Sequence, residues 1–443
     1  MELIKKKITA KLPAILEKID LIRKYHGSFK ISNVTVDQLY NGLRGVMIHV
    51  NDLSYLDPEK GLRFRDYPIP ELIAQLPRNR DAKYPLAGGL FHLLLTGDYP
   101  TENEALSVET HWKELPALPQ HVVTIIKAFP STADPMAIFS AALLAMQCPS
   151  EDQKKKNTGS HNESDWEDYL QDGFRLTAAL PGIAATIFNH LYQGDQQFSN
   201  PELDWGASFA YLIGKGMDTN YAEYCRLFLL LHADEEAGSA SANMARLAAS
   251  TQSDLFSCCA AAMAGLSGHR QGHASQANLE WFLKLEQHFK GIPGKDVMAR
   301  HLSSMIETGT WQPGNGNGSL RVADPRFTLQ LEFAEKSFPD NPLIQLARMA
   351  HEILPSLVLQ AGRIKSSFPN LGAIDGVIQY CYGVDQVEFY PVLLGMSRML
   401  GLVADVIWSQ ALKLPAEKTK PLTTAILEEM IRTESLEDRS YGP

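Results

Sequence analysis

Three short stretches of the chain combine glycine with residues that could carry chemistry: residues 265–274, 313–321 and 369–376. They are rich in glycine, which lets a backbone approach a ligand closely. Among the glycines stand His269 and His273 in the first loop and Asp375 in the third. An imidazole can give or take a proton near neutral pH, and a carboxylate can accept one. These groups indicate acid–base chemistry, although a single histidine or aspartate in a loop more often makes local hydrogen bonds.

The elements that must position these loops are almost all helical. Apolar residues recur at helical spacing along most of the chain, and proline and glycine mark the breaks. Residues 12–25 predict an amphipathic helix, and residues 35–43 predict a second, short one. Residues 46–65 form the single strand-like region. From Pro70 onward, helices alternate with short turns.

Two stretches of small residues, 237–243 and 258–265, predict helices that lie close to their neighbours. Small side chains let helix backbones approach, either within one chain or across a contact between subunits. The polar stretch 148–165 predicts an exposed loop or the start of a helix, with a solvated face.

Composition bounds the function. A chain of 443 residues exceeds the usual size of one hydrophobic core and predicts two domains. The formal net charge is −10, which argues against nucleic acid as a partner, because phosphate binding needs a positive surface. An anionic ligand must therefore be held by local arginine and lysine side chains.

The five cysteines form no metal-binding or redox motif, and they predict a reducing compartment: Cys148, Cys225, Cys258, Cys259 and Cys381. No apolar run reaches the roughly 18 residues that a membrane span requires. The first residues lead directly into a helical pattern with no signal-peptide core. We expect a cytoplasmic protein, or one of the mitochondrial matrix if the chain is a processed form, with no membrane partner and no bound metal.

Several motifs, in their order along the chain, resemble mitochondrial-type citrate synthase. They include Gly-Leu-Arg-Gly at 42–45, Asp-Pro-Arg-Phe-Thr at 324–328 and Gly-Met-Ser-Arg-Met-Leu-Gly at 395–401. The resemblance covers nearly the whole chain. It implies a mainly α, two-domain helical fold.

The resemblance also implies how the domains divide. The large helical domain comprises residues 1–271 and 379–443, and a smaller domain, residues 272–378, closes over the active-site cleft. Closure of this kind excludes water and completes the site in the family's enzymes. The resemblance further implies a homodimer, with the small-residue helix near residues 237–250 at the subunit contact.

The three loops carry a histidine, a second histidine and an aspartate in the family. The resemblance places Gln271, Asn317 and Gly372 at those positions. Glycine cannot take a proton, and neither amide titrates near neutral pH. A further oxaloacetate-binding histidine is matched by Glu235, which would repel a dicarboxylate unless it were protonated or paired. These substitutions predict that the ordinary condensation is lost or altered.

The anion-binding positions are better kept. Arg326 and Arg398 match the arginines that hold substrate carboxylates in fork geometry, and the alternative is that both make structural salt bridges. Lys418 matches an arginine that the partner subunit contributes in the family. His232 matches a family histidine and could orient a neighbouring group.

The resemblance implies no permanently bound cofactor, but it makes coenzyme A or an acyl-CoA a possible ligand. The positions that match the coenzyme A site are Arg44, Gly314, Gly316, Arg321 and Lys365.

Several interpretations follow. The first is a binding or regulatory homologue that senses a CoA ester or a small anionic metabolite, or that pairs with an active paralogue. The second is an acyltransferase or other enzyme with changed chemistry on a CoA ester or carboxylic acid, in which His273 or Asp375 serves as the base. The third is residual citrate synthase activity. A purely structural oligomer is the remaining alternative.

Overall fold

The computed structural model describes residues 1–148, 166–193, 200–235, 238–309, 320–362 and 368–440. The chain is 67% helix and 3% strand, which confirms the mainly α prediction. The helices of the first half are α1 (Glu2–His26), α2 (Val36–Tyr40), α3 (Ile69–Gln75), α4 (Ala87–Thr96), α5 (Glu102–Glu114), α6 (Gln120–Ala128), α7 (Pro135–Ala145), α8 (Trp166–Phe188), α9 (Trp205–Ala210) and α10 (Thr219–Leu231). Those of the second half are α11 (Ala240–Ser250), α12 (Leu255–Leu266), α13 (Ala274–Phe289), α14 (Lys295–Thr308), α15 (Pro325–Ser337), α16 (Pro342–Gln360), α17 (Asp375–Cys381), α18 (Tyr390–Ala411) and α19 (Thr424–Ser440).

The strand-like region forms a small antiparallel sheet of three strands: β1 (Ser54–Asp57), β2 (Gly61–Phe64) and β3 (Tyr67–Pro68). Ser54 pairs with Phe64, and Asp57 pairs with Gly61 across the turn. Gly61 has φ +81°, and a Cβ there would clash with the ring of Pro325. Glycine is required at this position because the sheet lies directly against the start of α15. The sheet thereby helps to fix the helix start that carries Arg326.

Helix α18 is buried along almost its whole length and packs against α8, α11 and α12. Within the described part of the chain, one helical stretch, Val387–Ala411, is long and apolar enough to cross a membrane, but 89% of its window is buried inside the protein. It is therefore explained as a core helix. A Cβ at Gly401 would lie 2.6 Å from the carbonyl oxygen of Ala233, so the helix approaches the backbone after α10 closely. This contact places Arg398 next to that segment.

The two helices rich in small residues, α11 and α12, pack against each other, as predicted. A Cβ at Gly265 would lie 2.8 Å from the Sδ of Met244, a distance that no larger residue could tolerate without a shift. Cys258 and Cys259 on α12 are buried, and burial raises the pKa of Cys258 to about 12. Both thiols behave as small apolar side chains.

Three predicted boundaries differ from the observed ones. Helix α1 begins at Glu2 rather than at residue 12, and α2 is confined to Val36–Tyr40, where Thr35 forms a capping box with Gln38. The strands begin only at Ser54. The early start of α1 escaped the pattern because Ile4 and Ile8 are its only buried residues, too few for a clear periodicity.

The polar stretch 148–165 lies outside the described residues except for Cys148, which is exposed. The proposed division at residues 271/272 falls between α12 and α13, and the division at 378/379 falls within α17. The two-domain division stays a prediction.

His351 on α16 makes stability depend on pH. It is buried between Phe327 and Phe282, and burial lowers its pKa from 6.5 to about 4. Because the folded protein disfavours the charged ring, this contribution is complete above pH 6.5 and is lost as the pH falls towards 4. The shift corresponds to about 3 kcal/mol.

We expect His351→Phe to flatten the acid side of the stability profile, measured by urea unfolding between pH 7 and pH 4. His26 is exposed, so His26→Gln serves as the control and should keep the wild-type stability profile. A His351→Phe profile that falls as steeply as the wild type would show that other groups cause the acid loss.

Candidate functional site

Five of the predicted residues come together where α10 ends and α15, α17 and α18 meet. His232 and Glu235 follow α10, Arg326 lies in the first turn of α15, Asp375 begins α17, and Arg398 lies in the middle of α18. Helix α10 packs against both α15 and α18, which brings these distant parts of the chain together.

Arg326 forms a buried ion pair with Asp324. Its Nη2 lies 2.8 Å from Asp324 Oδ2, and its Nε lies 3.1 Å from Oδ1. Asp324 also caps α15 by accepting a hydrogen bond from the Arg326 amide at 3.0 Å. The two residues are 1% and 0% exposed. The Nη1 of Arg326 is buried and has no hydrogen-bond partner among the described residues, so one donor of the guanidinium is uncommitted.

Arg398 forms a second ion pair, with Glu235. Its Nη2 donates to Glu235 Oε2 at 3.0 Å, and its Nε donates to the carbonyl of His232 at 3.1 Å. The Glu235 side chain is only partly buried; its partial loss of solvent tends to raise its pKa, but Arg398 and then Arg326 outweigh this and hold the pKa below its usual value. Glu235 is therefore an ionised carboxylate with a partner. The pairing balances the charge of Glu235, and it also uses the Nη2 donor of Arg398 that a ligand carboxylate would otherwise meet.

Asp375 lies in a buried hydrogen-bond network. Its Oδ2 lies 3.1 Å from His232 Nε2 and accepts from Ser275 Oγ at 2.8 Å. The Nδ1 of His232 lies 2.9 Å from the carbonyl of Phe228. One ring nitrogen faces a backbone carbonyl and the other faces the Asp375 carboxylate, so the network fixes the orientation of both side chains. The contacts favour a positioning role for Asp375, and its role as a base stays a prediction.

Gln271 is held against α11 by both ends of its amide. Its Nε2 donates to Ser241 Oγ at 2.8 Å, and its Oε1 accepts from the Ser241 amide at 3.2 Å. His273 is the N-cap residue of α13, and its Nδ1 is buried with no hydrogen-bond partner in the described part of the chain. The centroid of its ring lies 4.4 Å from that of His269. An unpartnered imidazole nitrogen can still exchange a proton with a ligand.

Gly372 lies beside the start of α13. Its carbonyl accepts from Asn278 Nδ2 at 3.1 Å. A Cβ built at Gly372 would lie 3.1 Å from the Cβ of Ala274, so a side chain requires a shift of a few tenths of an ångström. The position is tight but has no positive φ that would exclude a larger residue.

The remaining predicted residues are not gathered at this site. Arg321 is exposed and pairs with Glu59 at 2.9 Å, while Arg44 and Lys418 are exposed. The other predicted positions lie outside the described residues: Gly314, Gly316, Asn317 and Lys365. The coenzyme A site therefore stays a prediction. Among the described residues, no group of three or more His, Cys, Asp or Glu side chains could hold a metal ion.

Sequence reasoning missed three residues that complete the site: Asp324, Ser241 and Ser275. Asp324 could have been found, because Asp-Pro two residues before Arg326 is a helix-start signal that places its carboxylate beside the arginine. The serines gave no such signal, since each contacts a residue 30 or 100 positions away.

Comparison with known proteins decides the family. Residues 42–419 match the family model described as citrate synthase, C-terminal domain. The chain belongs to the citrate synthase family. It is 38% identical over 427 residues to a probable mitochondrial citrate synthase of Glossina morsitans morsitans, covering 96% of this chain and 92% of that one. It is 36% identical over 426 residues to the mitochondrial citrate synthase of Kajikia audax, covering 96% and 91%.

Solved citrate synthase structures share the fold. The enzyme of Pyrobaculum aerophilum matches with a TM-score of 0.73 and 25% identity over 87% of this chain and 92% of that one. The enzyme of Thermoplasma acidophilum, in a ternary complex with carboxymethyl coenzyme A and oxaloacetate, matches with a TM-score of 0.70 and 21% identity over 87% and 95%. The expected citrate-synthase-like fold is confirmed. The names of the citrate synthase relatives favour the residual-synthase interpretation over the loss of activity.

Proposed function

We propose that this citrate synthase family member binds a small carboxylate or CoA ester and that its condensation of acetyl-CoA with oxaloacetate is lost or altered. The observation that carries the proposal is the ion pair between Arg398 and Glu235, at 3.0 Å. One arginine that the resemblance assigns to substrate carboxylates already holds a carboxylate of the chain itself. A dicarboxylate must then displace Glu235 or bind beside it.

The reaction positions support the same proposal. A general base contributes typically ~10²–10⁴-fold to a rate, and a single oxyanion donor contributes on the order of 10²–10³-fold. The resemblance puts Gly372 at the position of the base, and glycine has no group that can take a proton. Gln271 already uses both ends of its amide on Ser241. It must break these contacts before it can polarise a thioester.

Two other functions have specific support. Citrate synthase activity is favoured by the relatives, which carry that name at 36–38% identity over 96% of the chain. An acyltransferase with a relocated base is favoured by the buried and unpartnered Nδ1 of His273. We propose coenzyme A or an acyl-CoA as an exchangeable ligand, because a structural relative was solved with carboxymethyl coenzyme A.

We propose a homodimer located in the mitochondrial matrix. The relatives named above are mitochondrial citrate synthases, whereas the expected cytoplasmic location has no such support. Large exposed apolar side chains favour a covered surface, since soluble monomers rarely expose many of them together. These side chains lie on α1, in the segment between α1 and the sheet (which includes α2), on α11 and on α19. They include Tyr25, Phe29, Ile31, Tyr40, Met47, Ile48, Leu247, Met430 and Ile431. An active paralogue is the alternative partner.

Binding and turnover should be measured on the same sample. We expect calorimetry to detect an acyl-CoA or a small carboxylic acid, while a thiol-release assay with acetyl-CoA and oxaloacetate gives a rate at least ~10²-fold below that of the Glossina morsitans morsitans relative, because the general base is missing. Thiol release at the rate of that relative would overturn the proposal in favour of citrate synthase. Absence of binding for every ligand at millimolar concentration would leave only a structural role.

A further inference from the structure

We propose that Glu235 sets the charge of the ligand, so that the site takes an acid with one carboxylate in preference to a dicarboxylate. The inference rests on the proposed function, because it assumes that the arginines bind a carboxylic acid. It depends on four side chains, which we call the arginine cluster: Asp324, Arg326, Glu235 and Arg398.

The charges of the arginine cluster balance. Arg326 pairs with Asp324 at 2.8 Å, and Arg398 pairs with Glu235 at 3.0 Å. Two positive and two negative charges give a sum of zero before any ligand binds. Asp234, the residue before Glu235, adds a further carboxylate, which accepts a hydrogen bond from Ser54 Oγ at 2.5 Å. The four side chains of the arginine cluster therefore supply no surplus of positive charge for a dianion.

The free donors also point to one carboxylate. Arg398 commits Nη2 to Glu235 and Nε to the carbonyl of His232. Arg326 commits Nε and Nη2 to Asp324 and leaves Nη1 buried, with no partner among the described residues. A buried donor without an acceptor is costly and marks a place where a ligand atom can bind. Arg326 therefore offers a position for one carboxylate, while the Nε and Nη2 donors of Arg398 are occupied.

Glu235 is the member of the arginine cluster whose side chain has room to change position. Its side chain is 41% exposed, whereas the side chains of Arg326, Arg398 and Asp324 are 2%, 2% and 0% exposed. It is fixed by the ion pair to Arg398 more than by packing. Glu235→Gln keeps the shape of the side chain, removes its charge and leaves Arg398 with an unbalanced positive charge.

The test uses two probes that differ in one group, oxaloacetate and 2-oxobutyrate, in which a methyl group replaces the terminal carboxylate. Calorimetry should show that the wild-type protein binds 2-oxobutyrate at least as tightly as oxaloacetate. Glu235→Gln should raise the affinity for oxaloacetate at least tenfold and change the affinity for 2-oxobutyrate less than threefold. Glu352→Gln, which breaks an exposed pair with Lys295, is the matched control and should change neither.

The outcomes separate the two proposals. If the wild-type protein prefers oxaloacetate, or if Glu235→Gln changes both probes alike, the charge-selection proposal is wrong and carboxylate binding stands. If neither probe binds the wild-type protein or Glu235→Gln, and thermal melting shows both folded, then carboxylate binding at the arginine cluster is itself wrong.

Discussion

Replacing Arg326 with methionine should lower the free energy of unfolding by about 3–5 kcal/mol. Methionine keeps much of the volume and the apolar stem but removes the charge. Asp324, which is 0% exposed, would then be a buried carboxylate without its partner. Breaking a buried pair from one side costs more than the pair contributes, because the remaining charge is neither solvated nor neutralised. Urea unfolding with a constant slope against denaturant would measure the loss.

Two variants make this result specific. Arg348→Met removes an exposed arginine that lies 3.6 Å from Glu335, and it should cost less than about 1 kcal/mol. Adding Asp324→Asn to Arg326→Met should recover part of the loss, since the uncompensated charge disappears while the cap oxygen stays. If Arg326→Met lowers the free energy of unfolding no more than Arg348→Met does, the buried ion pair between Arg326 and Asp324 does not stabilise the fold as predicted.

The second prediction with a large effect is a gain of condensation activity. We expect Gly372→Asp, Gln271→His, Asn317→His and Glu235→His together to raise thiol release from acetyl-CoA with oxaloacetate by at least ~10²-fold over the wild type, the lower end of what a general base contributes. The carboxylate supplies a base, and removing Glu235 frees Arg398. Ser241, which now holds Gln271, can accept a hydrogen bond from an imidazole at the same position.

The matched control is the same variant with Gly372→Asn in place of Gly372→Asp. Asparagine has the same shape and meets the same contact with Ala274, at 3.1 Å from the Cβ, but it cannot take a proton. We expect the gain to vanish in it. Equal rates in both variants would mean that the carboxylate is not the base, and no gain in either would mean that the scaffold has lost more than these four groups.

Local patterns predicted much of the architecture. Apolar periodicity, proline and glycine predicted that helices alternate with short turns from residue 70 onward, and the small-residue stretches correctly indicated that α11 and α12 pack closely. The patterns failed at residues 2–11 of α1, where only Ile4 and Ile8 are buried, and at residues 46–53, where β-forming residues stand in no strand. In the first place too few apolar residues are buried to give a helical signal, and in the second the β-forming residues do not pair into a strand.

The sequence by itself determined the helical class and the family resemblance, because these depend on spacing and identity along the chain. Only the tertiary structure decided which charges meet. Glu235 and Arg398 are 163 residues apart, and His232 and Asp375 are 143 apart. A periodic pattern reports which face of a helix is buried, but it does not report which distant side chain lies opposite. The state of Glu235, ionised and held by Arg398, arises from the packing of α10 against α18.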